Sequence, residues 1–451
     1  MTLAEAATVL GGELCGADVT FTAVSTDSRA IAAGDLFVAL RGERYDGHAF
    51  MPQAAASGAV AALADRAHDQ APALPTAVVA DTTVALGALA AHWRRRFRIP
   101  LIAVVGSNGK TTVKEMIAAC LREHYGADAV LATRGNLNNH IGLPLTLLAL
   151  RAAHRVAVVE VGMNHPGETA QLAALAQPTI AVINNAQREH QEFMRSVADV
   201  AQEHASMIAA LPADGTAVIN ADDAHVAVWR ATAGARTVRD FGLGRAAVTA
   251  QCRMDAATAT LDVSVPGAAA RIALPLAGEH NVRNALAAVA AATAAGATLD
   301  ACARALGRFV QVRGRLQMKQ GVRGAVLIDD TYNANPDSVR AATDVLARAR
   351  GRKLLVLGDM GEVGTQGPAF HREAGAYARA SGIDRLYTLG DLAADAAGAF
   401  GEGARHYPRI EELLADVENA LDAQTTVLVK GSRFMQMERV VRSLEAQAEK
   451  A

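Results

Sequence analysis

Leu101-Ile102-Ala103-Val104-Val105-Gly106-Ser107-Asn108-Gly109-Lys110-Thr111-Thr112 is the stretch that decides the fold. Its five leading apolar residues read as a short strand buried on both faces of a parallel sheet. Beyond the glycine turn, Val113, Met116, Ile117, Cys120 and Leu121 recur at helical spacing and make one apolar face. A glycine loop between strand and helix can turn successive backbone N–H groups inward around an anion. The helix N-terminus adds partial positive charge and Lys110 a full one. Thr111 can place its hydroxyl on a magnesium ion that bridges phosphates. The strict phosphate-loop pattern wants glycine where Val104 stands, so this is a shortened GxxGKTT loop. Gly106, Ser107, Asn108, Gly109, Lys110, Thr111 and Thr112 are therefore expected to bind ATP.

Further strand-like runs at 155–161 and 179–184 alternate with helical ones, which predicts a doubly wound sheet. Shorter Thr- and Val-containing stretches at 246–274 suggest a small antiparallel insertion, and a helical run beginning near Asn281 closes a central unit, 99–312. Before it, 1–98 mixes strand-like runs (36–40, 77–79) with an Ala-rich helical run at 52–64. The basic segment Trp93-Arg94-Arg95-Arg96-Phe97-Arg98-Ile99-Pro100 ends this unit and reads as a solvated helix end. After 312, apolar runs at 325–328, 353–357, 385–389 and 425–429 with helical segments between them give another α/β layer, 313–451. The fold class is α/β in three domains: a small N-terminal one, a central ATPase-like parallel sheet with the phosphate loop, and a Rossmann-like C-terminal one. The length of 451 residues suits that division.

Composition removes several function classes. The chain is 51% apolar and only 20% charged, which excludes a largely disordered protein. Its net charge of −2 argues against a nucleic-acid clamp or a polybasic membrane binder. The uncharged stretch 169–187 contains Gln171, Gln177, Pro178, Asn184 and Asn185, which lipid penalises, and 285–299 is too short to span. Cys15, Cys120, Cys252 and Cys302 are scattered without a CxxC pair, so they read as reduced core thiols. No Lys or Arg precedes Arg29, so no basic secretory leader is legible. The expectation is a cytoplasmic monomer with no nucleic-acid partner and no membrane insertion.

Nucleotide chemistry also needs carboxylates. Glu160 stands at the C-terminal end of the 155–161 strand, where open α/β sheets place their ligand crevice. It is expected to hold magnesium directly or through water. His190 follows the next strand and approaches the same crevice. No Ser–His or Cys–His arrangement suggests a covalent nucleophile.

Four further segments carry a pattern. Gly278-Glu279-His280-Asn281-Val282-Arg283-Asn284 puts Asn281 and Asn284 three apart, on one side of a helix. Arg313-Gly314-Arg315 opens the last unit. Asp329-Asp330-Thr331-Tyr332-Asn333-Ala334-Asn335-Pro336-Asp337-Ser338 leaves a strand and ends in an N-cap Asn335 with Pro336 at the first helical position. Gly358-Asp359-Met360-Gly361-Glu362 and Lys430-Gly431-Ser432-Arg433 follow later strands. With the shortened phosphate loop, and with Ser25-Thr26-Asp27-Ser28-Arg29 and 37–48 in the first unit, these resemble the Mur ligases, ATP-dependent amide-bond formers of peptidoglycan precursor synthesis. The resemblance covers all three units.

That resemblance implies roles. Lys110, Glu160 and His190 would be catalytic, with Thr111, Glu160 and His190 holding Mg2+. Asn281 and Asn284 would contact the adenine of ATP, and Arg315 and Asp330 would approach the nucleotide. Ser28 and Arg29 would bind a uridine nucleotide, and Asn333, Asn335, Ser338 and Lys430 the other substrate groups. The YNANP segment is similar to that of the members joining D-alanyl-D-alanine to UDP-N-acetylmuramoyl-tripeptide, and the DNPR motif of the diaminopimelate-adding members is absent. The implied reaction passes the ATP γ-phosphoryl group to a carboxylate, and the acyl phosphate is then attacked by an amine. Two rivals stay open: another ligase of the same mechanism, such as a folylpolyglutamate synthase, and an ATP-binding protein without ligase chemistry.

One departure stands out. The family usually carries a carbamylated lysine after the histidine matching His190. Here no lysine occurs between Lys114 and Lys319, and the corresponding stretch reads Val200-Ala201-Gln202-Glu203-His204-Ala205-Ser206. Carbamate chemistry needs a primary amine. Either Glu203 or His204 partly substitutes, or a second magnesium is held by Glu160, His190 and the intermediate's phosphate.

Overall fold

In the computed structural model, which describes residues 1–65, 74–255 and 257–446, the five residues Leu101–Val105 form a wholly buried strand. It pairs in parallel with Val156–Glu160 on one side and Ile180–Ile183 on the other. The six-stranded sheet runs Thr237–Phe241, Thr216–Asn220, Ile180–Ile183, Leu101–Val105, Val156–Glu160, Val130–Ala132, all parallel. The chain winds outward one way from Leu101–Val105 and then returns to continue on the other side. The carboxyl end of this strand is therefore the switch point where an open α/β sheet forms its crevice.

The helix Lys110–Tyr125 buries Val113, Met116, Ile117, Cys120 and Leu121, the face its spacing predicts. These side chains share one apolar cluster with helices Glu279–Ala294 and Leu299–Gly307. The insertion is a three-stranded antiparallel sheet, Thr249–Met254, Ala259–Val265 and Ala268–Leu274. On the other face of the central sheet, Ala103 and Val105 join a cluster that continues into Leu36, Leu63 and Leu86 of the first unit.

The first unit has five strands in the order Glu13–Cys15, Thr76–Val79, Ala61–Asp65, Asp35–Val38, Ala23–Ser25, with only the first pair antiparallel. The helical run expected at 52–64 is corrected: the helix is Met51–Ala56, and Ala61–Asp65 is a fully buried strand. Gly58, at φ 109°, breaks the run in a conformation other residues resist. Beyond it alanine's helix preference yields to a site between two neighbouring strands. Of the solvated helix end, Arg95, Arg96 and Arg98 are exposed as expected, and Arg94 is corrected. Helix Thr82–Arg94 ends in a buried Arg94 whose guanidinium donates to Ala176 O (3.2 Å), Ile99 O (3.2 Å) and Gln177 O (3.3 Å). It ties the first unit to the central one.

The last sheet has six strands in the order Gln317–Gln320, Val326–Asp330, Thr425–Lys430, Arg352–Gly358, Arg385–Leu389, Ala404–Tyr407. The four apolar runs form its middle, and only the polar edge strand Gln317–Gln320 is antiparallel. Residues 447–451 of the expected third unit lie outside the described residues. Cys120 and Cys302 are core residues, whereas Cys15 and Cys252 are half-buried, and all four are free thiols. No helix among the described residues is long and apolar enough to cross a membrane.

Candidate active site

The phosphate loop takes its shape from its neighbours. Gly106 lies at φ 140°, and a Cβ there would come within 3.0 Å of Asn184 Cβ and 3.1 Å of Asn185 N. Gly109 lies at φ 81°, where a Cβ would sit 2.6 Å from Asn284 Oδ1. Asn184 Nδ2 donates to Asn108 O (2.8 Å) and to Asn284 Oδ1 (2.9 Å). Asn185 Oδ1 accepts from Asn108 N (2.9 Å), and Ser107 Oγ accepts from Gln187 N (2.8 Å). The loop is thus held rigid from the end of strand Ile180–Ile183, as an electrostatic site must be. No side chain caps the first turn of Lys110–Tyr125, which leaves its N–H groups available to an anion.

Lys110 Nζ reaches Gly106 O (2.5 Å), Ser107 O (3.2 Å) and the Glu189 carboxylate (3.2 Å). Glu160 is buried at the end of its strand: Oε1 accepts from Asn138 Nδ2 (2.8 Å), and Oε2 has no hydrogen-bond partner. His190, at φ 49°, places Nδ1 2.8 Å from Glu362 Oε2 and Nε2 3.8 Å from Glu189 Oε2. Burial alone would raise the pKa of Glu189, but Lys110, His204 and His190 outweigh it and hold the carboxyl at about 2.

The third unit closes over this floor. Arg315 Nη2 donates to Thr111 Oγ1 (2.8 Å). Asn335 and Asn108 exchange amide hydrogen bonds of 3.0 and 3.3 Å. Asn335 also caps helix Pro336–Ala347 through a reciprocal box with Ser338. Lys430 Nζ bridges Asp330 Oδ2 (2.6 Å) and Asn333 O (2.9 Å). Burial raises the Asp330 pKa, with Lys430 pulling the other way. A crevice of about 690 Å³ lies between these groups.

Most predicted residues meet there. Ser107, Asn108, Gly109, Lys110 and Thr112 line it, as do Glu160 and His190. Asn281 and Asn284 form one wall, Arg315, Asp330 and Lys430 another, and Asn333, Asn335 and Ser338 the rim. Gly106 and Thr111 sit behind this lining rather than on it. Ser28 and Arg29 are not part of it: Ser28 Oγ donates to Gln53 Oε1 (3.1 Å), and an exposed Arg29 pairs with Asp27. Oxygen donors such as Glu160 and Thr111 suit a hard cation, and the buried Oε2 of Glu160 is an open ligand position. Among the described residues no three His, Cys, Asp or Glu side chains form a ready-made metal cluster. A Mg2+ ion at a nucleotide site keeps waters and is held by one or two carboxylates plus the substrate's phosphates, a demand that the Glu160 carboxylate fits.

Of the two candidates for the missing lysine, Glu203 is committed elsewhere: its oxygens accept from Gly167 N (2.9 Å) and Thr169 N (2.8 Å), capping a helix. His204 places Nε2 3.2 Å from Glu189 Oε1. Glu189, Asn138, Asn184 and Asn185 belong to no motif and were not predicted. Their only sequence signal is a position just beyond a strand's carboxyl end.

Comparison with known proteins agrees in every part of the chain. Residues 20–119, 104–292 and 314–433 match the families described as Mur ligase family, catalytic domain; Mur ligase middle domain; and Mur ligase, glutamate ligase domain. The UDP-N-acetylmuramoyl-tripeptide--D-alanyl-D-alanine ligase of Escherichia coli (strain K12) is 40% identical over 450 residues, covering 99% of this chain and 98% of that one. Its namesake from Bacillus subtilis (strain 168) is 35% identical over 438 residues, with 93% and 92% covered. Among solved structures, MurF from Acinetobacter baumannii matches with a TM-score of 0.91 at 33% identity over 98% of each chain. MurF from Thermotoga maritima, solved in complex with ADP, gives 0.82 at 25% identity over 93% of this chain and 96% of that one.

Proposed function

The chain belongs to the Mur ligase family, and from that premise we propose that it is the ATP-dependent ligase joining D-alanyl-D-alanine to UDP-N-acetylmuramoyl-tripeptide. The observation that carries this reading is the crevice where the Asn108 loop meets the Asn335 segment. There a phosphate-binding turn and the YNANP signature face one another in direct contact.

A carboxylate is a poor electrophile because oxide cannot leave. Phosphorylation by ATP gives an acyl phosphate, the dipeptide's free amine adds to its carbonyl, and phosphate departs from the tetrahedral adduct. The loop's N–H groups and Lys110 hold the phosphate tail, and His190 faces the transferring group with Glu362 behind it. Mg2+, held by Glu160 with Thr111 and His190 in support, would neutralise phosphate charge. Closure of the third unit over the loop keeps water from the acyl phosphate. In this reading 1–98 bind the uridine nucleotide through Ser28 and Arg29, 99–312 the ATP, and 313–451 the dipeptide. The single chain supplies the whole crevice, which supports a monomer, and the proposed substrates support a cytoplasmic location.

The test is phosphate release from ATP and Mg2+ with each acceptor alone and with both. Release that requires both UDP-N-acetylmuramoyl-tripeptide and D-alanyl-D-alanine is expected. Release with neither would mean a plain ATPase, and release with other acids and amines a different ligase.

A further inference from the structure

Glu189 is the buried charge of the crevice that no motif assigns. It lies on the loop between strand Ile180–Ile183 and helix Val197–Ala209, and its side chain is only 6% exposed. Three nitrogen-bearing groups surround it. Oε2 is 3.2 Å from Lys110 Nζ and 3.8 Å from His190 Nε2, while Oε1 is 3.2 Å from His204 Nε2. His204 is itself buried and lies against the carboxylate oxygen that Lys110 does not contact. A buried carboxylate is costly unless paired, and this one is paired to the lysine and the histidine expected to meet the phosphoryl group. The other acids nearby have different commitments: Glu203 caps a helix, and Glu160 is turned to Asn138.

Position matters as much as charge. His204 falls in the stretch where the family's carbamylated lysine would stand, and a lysine there becomes an anion only by adding CO2. In this chain the facing residue already supplies a carboxylate, and residue 204 sets an imidazole nitrogen 3.2 Å from it. We propose that Glu189, flanked by His204, is the fixed anion of this site, positioning Lys110 and His190 for phosphoryl transfer in place of a carbamylated lysine. The proposal rests on the ligase reading for its chemistry, though not for its binding consequence. An anion beside the phosphate pocket opposes a bare nucleotide and favours one carrying Mg2+.

Two measurements on the full chain test it. One is calorimetric titration of ADP with and without Mg2+. The other is acceptor-dependent phosphate release in CO2-depleted and in bicarbonate-supplemented buffer. E189Q keeps the shape and removes the charge. In E189Q, kcat is expected to fall ~10²-fold, the loss typical of one preorganised electrostatic group, and E189D to recover part of it. Without Mg2+, ADP binds E189Q more tightly than the intact chain, so the tightening caused by Mg2+ shrinks by roughly tenfold, about one charge–charge interaction across ~12 Å in a protein site. The intact chain turns over equally with and without bicarbonate. If E189Q does not fold, H204A, which removes the ring beside the same carboxylate, is read in both assays. A lowered kcat with an unchanged Mg2+ effect would mean a structural role and overturn the proposal. So would an unaltered kcat, or bicarbonate-dependent turnover of the intact chain. An intact chain that binds ADP but releases no phosphate with both acceptors overturns the ligase reading instead, and the ADP titrations still decide the role of Glu189.

Discussion

Arg315 Nη2 donates a 2.8 Å hydrogen bond to Thr111 Oγ1, joining the opening of the third unit to the first turn of the phosphate-loop helix. The guanidinium also stacks 4.3 Å from the centre of the Tyr332 ring. One planar cation thus ties the loop to the YNANP segment. Lysine cannot reproduce the stack and the fork together. R315K is expected to lower kcat/KM for ATP by ~10-fold and R315A by up to ~10²-fold, the range for a charge-assisted hydrogen bond plus a stacked cation. Steady-state kinetics in ATP check this, and an R315A enzyme with unaltered kcat/KM would remove Arg315 from nucleotide handling.

Asn335 does two jobs that one substitution separates. Its Oδ1 caps helix Pro336–Ala347, and its Nδ2 donates to Asn108 Oδ1 at 3.0 Å. Aspartate caps as well as asparagine but offers no donor. Asn108 cannot simply turn its amide, because its own Nδ2 donates to Gln187 Oε1 at 2.7 Å. N335D should therefore unfold within ~0.5 kcal/mol of the intact chain yet lose roughly tenfold in turnover, whereas N335A should also lose about 1 kcal/mol of stability. Equal turnover in N335D would show that the loop-to-segment contact is idle.

How much of this was legible depended on whether a residue's environment was local. The strand 101–105 and the glycine turn read directly, because a wholly apolar run and a left-handed loop each tolerate few alternatives. The cap at Asn335 was legible for the same reason. Ala61–Asp65 was not: alanine prefers helix, and only the neighbouring strands that bury it decide otherwise. Arg94 read as solvated because the carbonyls that satisfy it, at Ala176 and Gln177, lie far along the chain. Asn184 and Asn185 counted in the sequence only as residues unfit for lipid. Their hold on the loop appears once the strand ends are side by side. Glu189 and His204 come from a loop and a helix, and no spacing rule pairs them.

Arg188 clamps the central unit to the third. Its guanidinium contacts Asp337 Oδ1 (2.7 Å) and Glu373 Oε2 (2.7 Å) and lies 5.4 Å from the centre of the Phe370 ring, while its N–H donates to Asp337 Oδ2 (2.8 Å). Both carboxylates push its pKa upward, so it stays charged at any working pH. Because the group is partly exposed, its worth is ~1 kcal/mol, weakened by salt. R188A should open the crevice: KM for the acceptors rises and kcat falls together by several-fold, the radius of gyration in solution scattering grows, and added salt no longer matters as much. Scattering and kinetics indistinguishable from the intact chain would rule the clamp out.

His280 makes the fold sensitive to mild acid. Burial, then the charges of Lys430, Arg283 and Arg348, push its pKa down to about 4, and its Nε2 has no hydrogen-bond partner. In the unfolded chain a histidine takes up its proton near pH 6.5. Between about 6.5 and 4 the unfolded state therefore binds one more proton than the folded one, and stability falls as the pH falls. The contribution is complete above 6.5 and spent by about 4. The slope is up to about 1.4 kcal/mol per pH unit, and the residue's partial access to solvent trims the total to ~2 kcal/mol. H280Q removes the titration but also some packing beside Gly278, so its baseline shifts. The informative quantity is the slope of urea-unfolding free energy against pH, which should be shallower in H280Q by close to one proton across this window. Parallel slopes would mean that His280 is protonated in the folded chain as readily as in the unfolded one.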